Sequence, residues 1–281
     1  MDPFRWVAPE SVDEAYRLLA VPGAVALGGG TDLLLDLESG RAEATTLVSL
    51  RKLPLRFVRW EGAELRIGAT APLSEVESVA GLSGRIPGLA TAVRAVGSPA
   101  LRHRATLGGN MARCAPTSDL LPVLIALGAT AEIGGPSGPR ATPVEAFAEG
   151  SRRPRLRPGE LLTSVRVPAA PSAYLWQRVR PAHDISQVGV AVARGPSRPP
   201  WTIAVGGVLP RPMRLGRAEA ALRSEVPGDA EIAEAAEVAA GEASFGTDRR
   251  ASEAYRRTLL RALVGRAVRA VRSMEVGGRA A

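Results

Sequence analysis

The sequence predicts a two-domain α+β protein, and three observations carry that expectation. An apolar stretch runs straight into a glycine triplet and out into a leucine-rich segment, "VALGGGTDLLLDL" over residues 25–37. That is the pattern of a strand, a tight loop and a short helix. From Leu55 the period changes to alternating runs followed by helical ones. Beyond "AAPS", residues 169–172, three strand-like runs come first and only helical runs follow. Strands grouped before helices belong to an α+β unit of its own.

Each element has a local reason. Ser11 and Glu14 form an S-x-x-E capping box with Pro9 just outside, so "VDEAYRLLA" reads as a short amphipathic helix that Pro22-Gly23 stops. "AVAL" is a strand that enters the glycines, "TDLLLDLESG" a short helix ending at Gly40, and "TTLVSL" a second strand. "LRFVRW" and "ELRIGA" alternate as strands joined at Glu61-Gly62. "APLSEVESV" and "GLATAVRAVG" read as helices, and "GSPALRHRATLGGNMARCAPTSD" as a glycine-punctuated loop. The loop enters the apolar helix "LLPVLIALGA", which Ser118 or Asp119 can cap. "TAEIGG" is a strand. "TPVEAF" is a capped turn with Thr142 as cap, Pro143 at the first helical position and Glu145 closing the box. "GELLTSVRVP" is a strand ended by Pro168.

In the second domain "AYLWQRVR", "ISQVGVAVA" and "WTIAVGGVL" form a three-stranded antiparallel meander. "RAEAALR", "DAEIAEAAEVAAG" and "SEAYRRTLLRALVGRAVRAV" are helices; the last carries Tyr255, Leu259, Leu263, Ala267 and Val271 four apart as an apolar stripe.

Composition narrows the function. The 281 residues are 46% hydrophobic and 23% charged, enough for a globular core without staples. No apolar run is long enough to span a bilayer, and "MDPFRWVAPE" lacks the core of a signal peptide, so the cytoplasm is the expected location. The net charge of +8 invites a nucleic-acid reading. However, Lys52 is the only lysine, and the arginines read as the codon bias of a GC-rich genome. Aromatics at 4% also leave few platforms for stacking bases, so no nucleic-acid partner is expected. The single cysteine, Cys114, excludes an internal disulfide and a cysteine metal cluster. His103 and His183 are the only histidines and lie far apart; H-E-x-x-H, G-x-S-x-G and C-x-x-C are absent. With so thin an inventory, a cofactor has to carry any chemistry.

The glycine triplet fits neither common phosphate loop. Gly28 and Gly30 match the first two places of G-x-G-x-x-G, but Leu33 occupies the third, and no lysine is near for a Walker loop. A second Gly-Gly pair follows in "RATLGGNMA", with Thr106 before it and Asn110 after it. Two such loops, each beside a threonine, can present converging backbone N–H groups as a nest for a pyrophosphate. Thr31 and Thr106 can donate hydroxyl bonds, and the Asn110 amide can donate and accept. Asp119 can accept from ribose hydroxyls, and its other reading, a helix cap, is compatible with that contact. On this reading Gly29 and Gly109 matter more for binding a cofactor than for folding.

These residues resemble the FAD-binding (medium) subunits of the molybdenum hydroxylases of the carbon monoxide and xanthine dehydrogenase type. "LGGGTDLLLDL" is similar to that family's A-G-G-T-D-L-L element. "GSPALRHRATLGGNMARCAPTSDLLPVLIALGA" is similar to its T-I-G-G-N signature with the following S-D and leucine-proline helix. "FRWVAPESVDEAYRLLA", "GELLTSVRVP", "QRVRPAHDISQVGVAVA", "GGVLPRPMRL" and "SEAYRRTLLRALVGRAV" extend the resemblance over nearly the whole chain.

The resemblance implies an α+β fold with a two-subdomain FAD-binding domain of the vanillyl-alcohol oxidase (PCMH) type. That domain spans residues 1–170, with subdomains of about 1–54 and 55–170; a smaller α+β domain follows over 173–275. It implies non-covalent FAD, with Ala26, Leu27, Gly28, Gly29, Gly30, Thr31, Asp32 and Leu33 around the pyrophosphate. Thr106, Leu107, Gly108, Gly109 and Asn110 fall on the pyrophosphate and flavin side, and Asp119 on the ribose. Leu162 and Gln177 border the flavin, Gln177 standing where the family commonly has lysine. Val96 stands where some relatives have an aromatic. Cys114 is then a small buried residue and not a flavin link, and His103 a loop hydrogen-bonder.

Molybdopterin and [2Fe-2S] clusters are implied only in partners, a molybdopterin-binding large subunit and an iron–sulfur small subunit, in a dimer of heterotrimers. Electrons would pass from the clusters to FAD and on to NAD, a quinone or oxygen. The rival reading is a stand-alone FAD-dependent oxidoreductase of the same fold with its own substrate pocket.

Overall fold

The computed structural model describes residues 4–180, 184–195, 200–208 and 210–278; His183 lies outside the described residues. The first unit is built from β1 (Arg5–Val7), α1 (Val12–Leu19), β2 (Ala24–Leu27), α2 (Leu33–Glu38) and β3 (Thr46–Ser49). Its strands form a parallel sheet in the order β1-β3-β2. Ser11 caps α1 as expected, its Oγ accepting from the N–H of Glu14 at 3.2 Å. The reciprocal bond of the box is displaced by one residue: the Glu14 carboxylate accepts from the N–H of Glu10 at 2.9 Å. β1 has no counterpart in the sequence reading. It is three residues long with a largely exposed pattern, so it carries no alternation to detect.

The next unit runs through β4 (Val58–Glu61), β5 (Glu64–Gly68), α3 (Leu73–Ser78), α4 (Leu82–Arg85), α5 (Pro87–Ala95), α6 (Pro99–Arg102), α7 (Leu107–Arg113) and α8 (Leu120–Ala126). It continues with β6 (Thr130–Gly134), β7 (Arg140–Pro143), α9 (Val144–Phe147), β8 (Ala148–Gly150), β9 (Arg153–Pro154) and β10 (Leu161–Pro168). Five strands make an antiparallel sheet in the order β4-β5-β10-β6-β7. Helices α5, α7 and α8 bury Leu89, Val93, Leu107, Leu120 and Leu124 in the same core as Leu65 and Ile67 of β5.

Two expectations change here. The stretch read as a glycine-punctuated loop contains α6 and α7, capped by Ser98 and Thr106, whose hydroxyls accept from Leu101 and Gly109. The glycines masked α7, because glycine lowers helix propensity and a short helix shows little periodicity. Thr142 caps nothing: it lies in β7 opposite Ala131, Pro143 is the last residue of that strand, and α9 starts without a side-chain cap.

The last unit comprises β11 (Ser172–Gln177), β12 (Val188–Arg194), β13 (Trp201–Gly206), β14 (Met213–Arg214), α10 (Gly216–Ala221), α11 (Asp229–Glu242) and α12 (Glu253–Gly278). The sheet is antiparallel in the order β11-β12-β13-β14, four strands and not three. β14 adds Met213 opposite Val205 and Arg214 opposite Ala204, and two residues are too few to announce a strand. The sheet is covered on both faces. Val188, Val190, Val192, Ile203 and Val205 meet α11 and α12, whereas Ala191, Ala193 and Ala204 join the core that contains α5 and α8. Alternation thus sorts branched side chains to one face and alanines to the other. On α12 the buried face is carried by Leu260, Leu263, Val264, Ala267, Val268 and Val271; Tyr255, expected on the stripe, is 46% exposed.

Candidate functional site

Strand β2 delivers the glycine triplet to the C-terminal edge of the parallel sheet. Gly30 adopts φ +77°, a left-handed conformation that favours glycine, and its carbonyl accepts from Leu34 at the start of α2. The second segment comes back to meet it. A Cβ at Gly29 would run into the Arg104 carbonyl, and one at Gly28 would stand 3.0 Å from Thr106 Oγ1. The two glycine segments are therefore in contact across about 75 residues of chain. The second segment does not supply the converging N–H groups expected of it: those of Leu107, Gly108, Gly109 and Asn110 donate to Ala71, Ala69, the Thr106 hydroxyl and the Thr106 carbonyl.

Within the second segment the residues divide. Leu107 is wholly buried; its N–H donates to Ala71, and that of Gly108 to Ala69. A Cβ on Gly108 would lie 2.6 Å from the Ala69 carbonyl, so this half anchors α7 to the end of β5. Gly109 is exposed, Thr106 Oγ1 accepts from its N–H at 3.1 Å, and Asn110 Oδ1 accepts from Ser118 at 3.0 Å.

Three cavities of about 390 Å³ each meet at Gly28 and Thr106. The first brings together Ala26, Gly28, Gly29, Gly30, Thr31, Asp32, Leu33, Val96, Thr106, Gly109 and Asn110. The second is mainly apolar and holds Ala26, Leu50, Gly108, Gly109 and Leu162. Val96 and Leu162 therefore line different cavities. Leu27 borders the third, with Ser49, Arg51, Arg104 and His103, whose imidazole has no partner among the described residues and so is not the loop hydrogen-bonder expected. Leu107 borders none of the three. Gln177 is exposed, donating from Nε2 to the Arg178 carbonyl at 2.9 Å, and is not brought to the glycines.

Asp119 also lies outside these cavities. Its carboxylate accepts from Tyr174 and Ser186 at 2.6 Å each and pairs with Arg178 at 3.1 Å. Burial pushes its pKa up against those partners. The cap of α8 is Ser118, whose Oγ accepts from Leu121 at 3.2 Å.

One residue that the sequence reading missed is Asp36. It is buried at the rim of the first cavity, where Arg41, Arg113 and Arg152 converge on its carboxylate. Burial pushes the carboxyl up, but the three guanidiniums outweigh that and hold it below the usual range. Its only local signal is Arg41 five residues on; the other two partners lie far off in sequence. Cys114 is fully buried, with Sγ donating to Met111, and burial pushes its thiol up to about 12, so it stays protonated and unreactive at neutral pH. Among the described residues no three metal-ligating side chains come together, and no helix is long and apolar enough to cross a membrane.

Comparison with known proteins gives consistent matches over both halves. Residues 2–170 match the family described as FAD binding domain in molybdopterin dehydrogenase, and residues 173–271 the CO dehydrogenase flavoprotein C-terminal domain. The carbon monoxide dehydrogenase medium chain of Hydrogenophaga pseudoflava is 32% identical over 263 residues, 87% of this chain and 92% of that one. The xanthine dehydrogenase FAD-binding subunit of Escherichia coli O157:H7 is 30% identical over 73% of this chain and 74% of its own. A solved carbon monoxide dehydrogenase from Hydrogenophaga pseudoflava superposes with TM-score 0.90 at 30% identity, covering 98% of this chain and 99% of that one. Quinoline 2-oxidoreductase from Pseudomonas putida 86 superposes with TM-score 0.89 at 26% identity, over 97% and 98%.

Proposed function

We propose a function from the premise that the chain belongs to the FAD-binding medium subunits of the molybdenum hydroxylases: it accepts electrons from an iron–sulfur partner and hands them on through FAD. The observation that carries this reading is the contact of the two glycine segments between two cavities. A polar bridge, made of the backbone of the first segment and the side chains of Thr106 and Asn110 from the second and flanked by two adjoining cavities, fits a molecule with a pyrophosphate between two ring systems. Gly28, Gly29, Gly30, Thr31, Thr106, Gly109 and Asn110 would hold the pyrophosphate. Leu33 and Val96 would wall one ring system, and Leu162 with Leu50 the other.

When bound, FAD supplies the means to exchange electrons singly or in pairs. The chain's own residues bind and orient it. Glycine at positions 28–30 lets the backbone approach phosphate oxygens, and the arginines held by Asp36 keep the cavity rim positive for an anionic ligand. Attachment is non-covalent: the Cys114 thiol is buried and protonated, and His103 borders a different cavity. With one cysteine the chain cannot hold a [2Fe-2S] cluster, so electrons enter from a partner that does. A molybdopterin-bearing large subunit, a cytoplasmic location and a dimer of heterotrimers complete the proposal. Asp119 and Gln177, given to the ribose and the flavin by resemblance, are not part of the proposed pocket.

Co-purification from the source cell tests it. The expected product is a yellow complex containing iron and molybdenum, from which acid precipitation frees all the flavin. A lone chain that turns over substrate without iron or molybdenum would establish the stand-alone flavoenzyme instead.

A further inference from the structure

Apart from the three residues that it shares with the pyrophosphate bridge, the third cavity at the glycine junction has no part in the roles above. It shares only Gly28, Gly29 and Thr106 with the first, and otherwise lies among the sheet β1-β3-β2, the start of α3 and the residues after α6. Its lining is mostly polar and contains no carboxylate. Five hydrogen-bonding groups on it have no partner among the described residues: the guanidiniums of Arg51 and Arg104, the imidazole of His103, and the hydroxyls of Ser49 and Thr70. Arg56 also borders it but is paired with Glu75.

Elsewhere most of the arginines are spent. Arg102 is tied to Glu77, Arg140 to Glu160 and Arg214 to Glu219, all within 2.8 Å. Two unpaired cations beside two unpaired hydroxyls in one concavity are therefore conspicuous. Ser49 is 5% exposed and ends β3, and Leu27 ends β2, so the cavity opens at the carboxyl ends of parallel strands. Ligands of α/β sheets collect there. Trp6 borders the same cavity with 59% of its surface exposed, a flat face beside the cations.

We propose that this cavity is a second anion site, distinct from the flavin pocket, that takes the phosphate group of a small molecule. Arg51 and Arg104 supply the charge, and Ser49 and Thr70 donate to the remaining oxygens. A tetrahedral dianion uses several donors at once, which matches the four groups better than a single halide does. The phosphate can be free or can be carried by a nucleotide whose base lies on Trp6.

The test uses the full chain already saturated with FAD, titrated calorimetrically at low chloride with inorganic phosphate, AMP and adenosine. One saturable phosphate site per chain is expected in addition to the flavin, and adenosine should not fill it. Arg51→Gln and Arg104→Gln should each weaken phosphate binding about tenfold, the loss of one charged hydrogen bond, while flavin content stays unchanged. AMP binding more tightly than phosphate, with tryptophan quenching lost in Trp6→Leu, assigns the nucleotide source; equal binding assigns free phosphate. No saturable binding, binding seen only when FAD is absent, or binding indifferent to both arginine substitutions would each overturn the proposal. Because flavin content is read separately, such a failure leaves the FAD assignment standing.

Discussion

At the residue scale, the glycines of the two segments are not equivalent. Gly29 lies against the Arg104 carbonyl, so any side chain there forces apart the two segments that form the bridge. Gly109 is exposed, and a Cβ on it meets only the Thr106 hydroxyl, at 2.9 Å. The expectation that both matter chiefly for binding is thus revised for Gly29, which is also a packing position. Gly29→Val should lower the thermal midpoint by an overpacking cost of about 1–3 kcal/mol as well as abolish FAD uptake. Gly109→Ala should stay folded and lose FAD affinity. Thermal unfolding of the apo chain beside flavin titration separates the two, and equal melting of Gly29→Val and wild type would refute the packing role.

At the scale of elements, α7 is a seven-residue helix whose first turn contains two glycines, so it leans on its cap. Thr106→Ala removes the hydroxyl that accepts from Gly109 and should cost about 0.5–2 kcal/mol of stability together with FAD affinity. Thr106→Ser should restore both, and a serine variant no better than alanine would show that the hydroxyl is not what matters.

A second element-scale contact joins β7 to the turn before β10. Arg140 binds Glu160 through two bonds, at 2.8 and 2.6 Å, and Arg157 adds a backbone N–H at 2.8 Å. The Arg140 hydrogen bond is the main reason that the Glu160 carboxyl is held down at about 2 from an ordinary 4.5. A carboxylate with a lowered folded-state pKa stabilises the fold above its unfolded value and loses that contribution as the pH falls towards the folded one. The stability gap between wild type and Glu160→Gln should therefore be widest above pH 4.5 and should close as the pH approaches about 2. Urea midpoints across that range measure it, and a gap independent of pH would contradict the assignment.

At the scale of the whole molecule, the two halves are joined by the alanine face of the C-terminal sheet. Small residues are required there. A Cβ on Gly206 would lie 2.8 Å from Pro122 of α8, and one on Gly189 would strike the Tyr174 hydroxyl. The same hydroxyl donates to Asp119, which also holds Arg178 and Ser186, so a buried polar network crosses the seam beside the apolar contact. With Ala204 wholly buried in the shared core, wild type should unfold in a single calorimetric transition. Ala204→Leu should cost about 1–3 kcal/mol and split the transition in two. Retention of one transition at the original temperature would show that the seam does not couple the halves.

What the sequence by itself determined was what near neighbours decide. The S-x-x-E start of α1, the β4–β5 hairpin at Glu61-Gly62, the strand ended by Pro168 and the β11–β13 meander rest on caps, turns and a period of two, all readable within a few residues. The pairing of the two glycine segments was legible only as two similar motifs, each of which needed the other to mean anything. Tertiary structure alone decided the rest. It made a strand of residues 5–7 by laying them on β3, and another of Met213 and Arg214 by laying them on β13. It made a helix of a Gly-Gly segment by fixing Leu107 and Gly108 to the residues after β5. It left the cap of α8 to Ser118 and turned Asp119 to the seam. It brought Arg113 and Arg152 to Asp36 across 77 and 116 residues. Such contacts join groups that no local period relates, and their energy exists only once the chain has closed the loops between them.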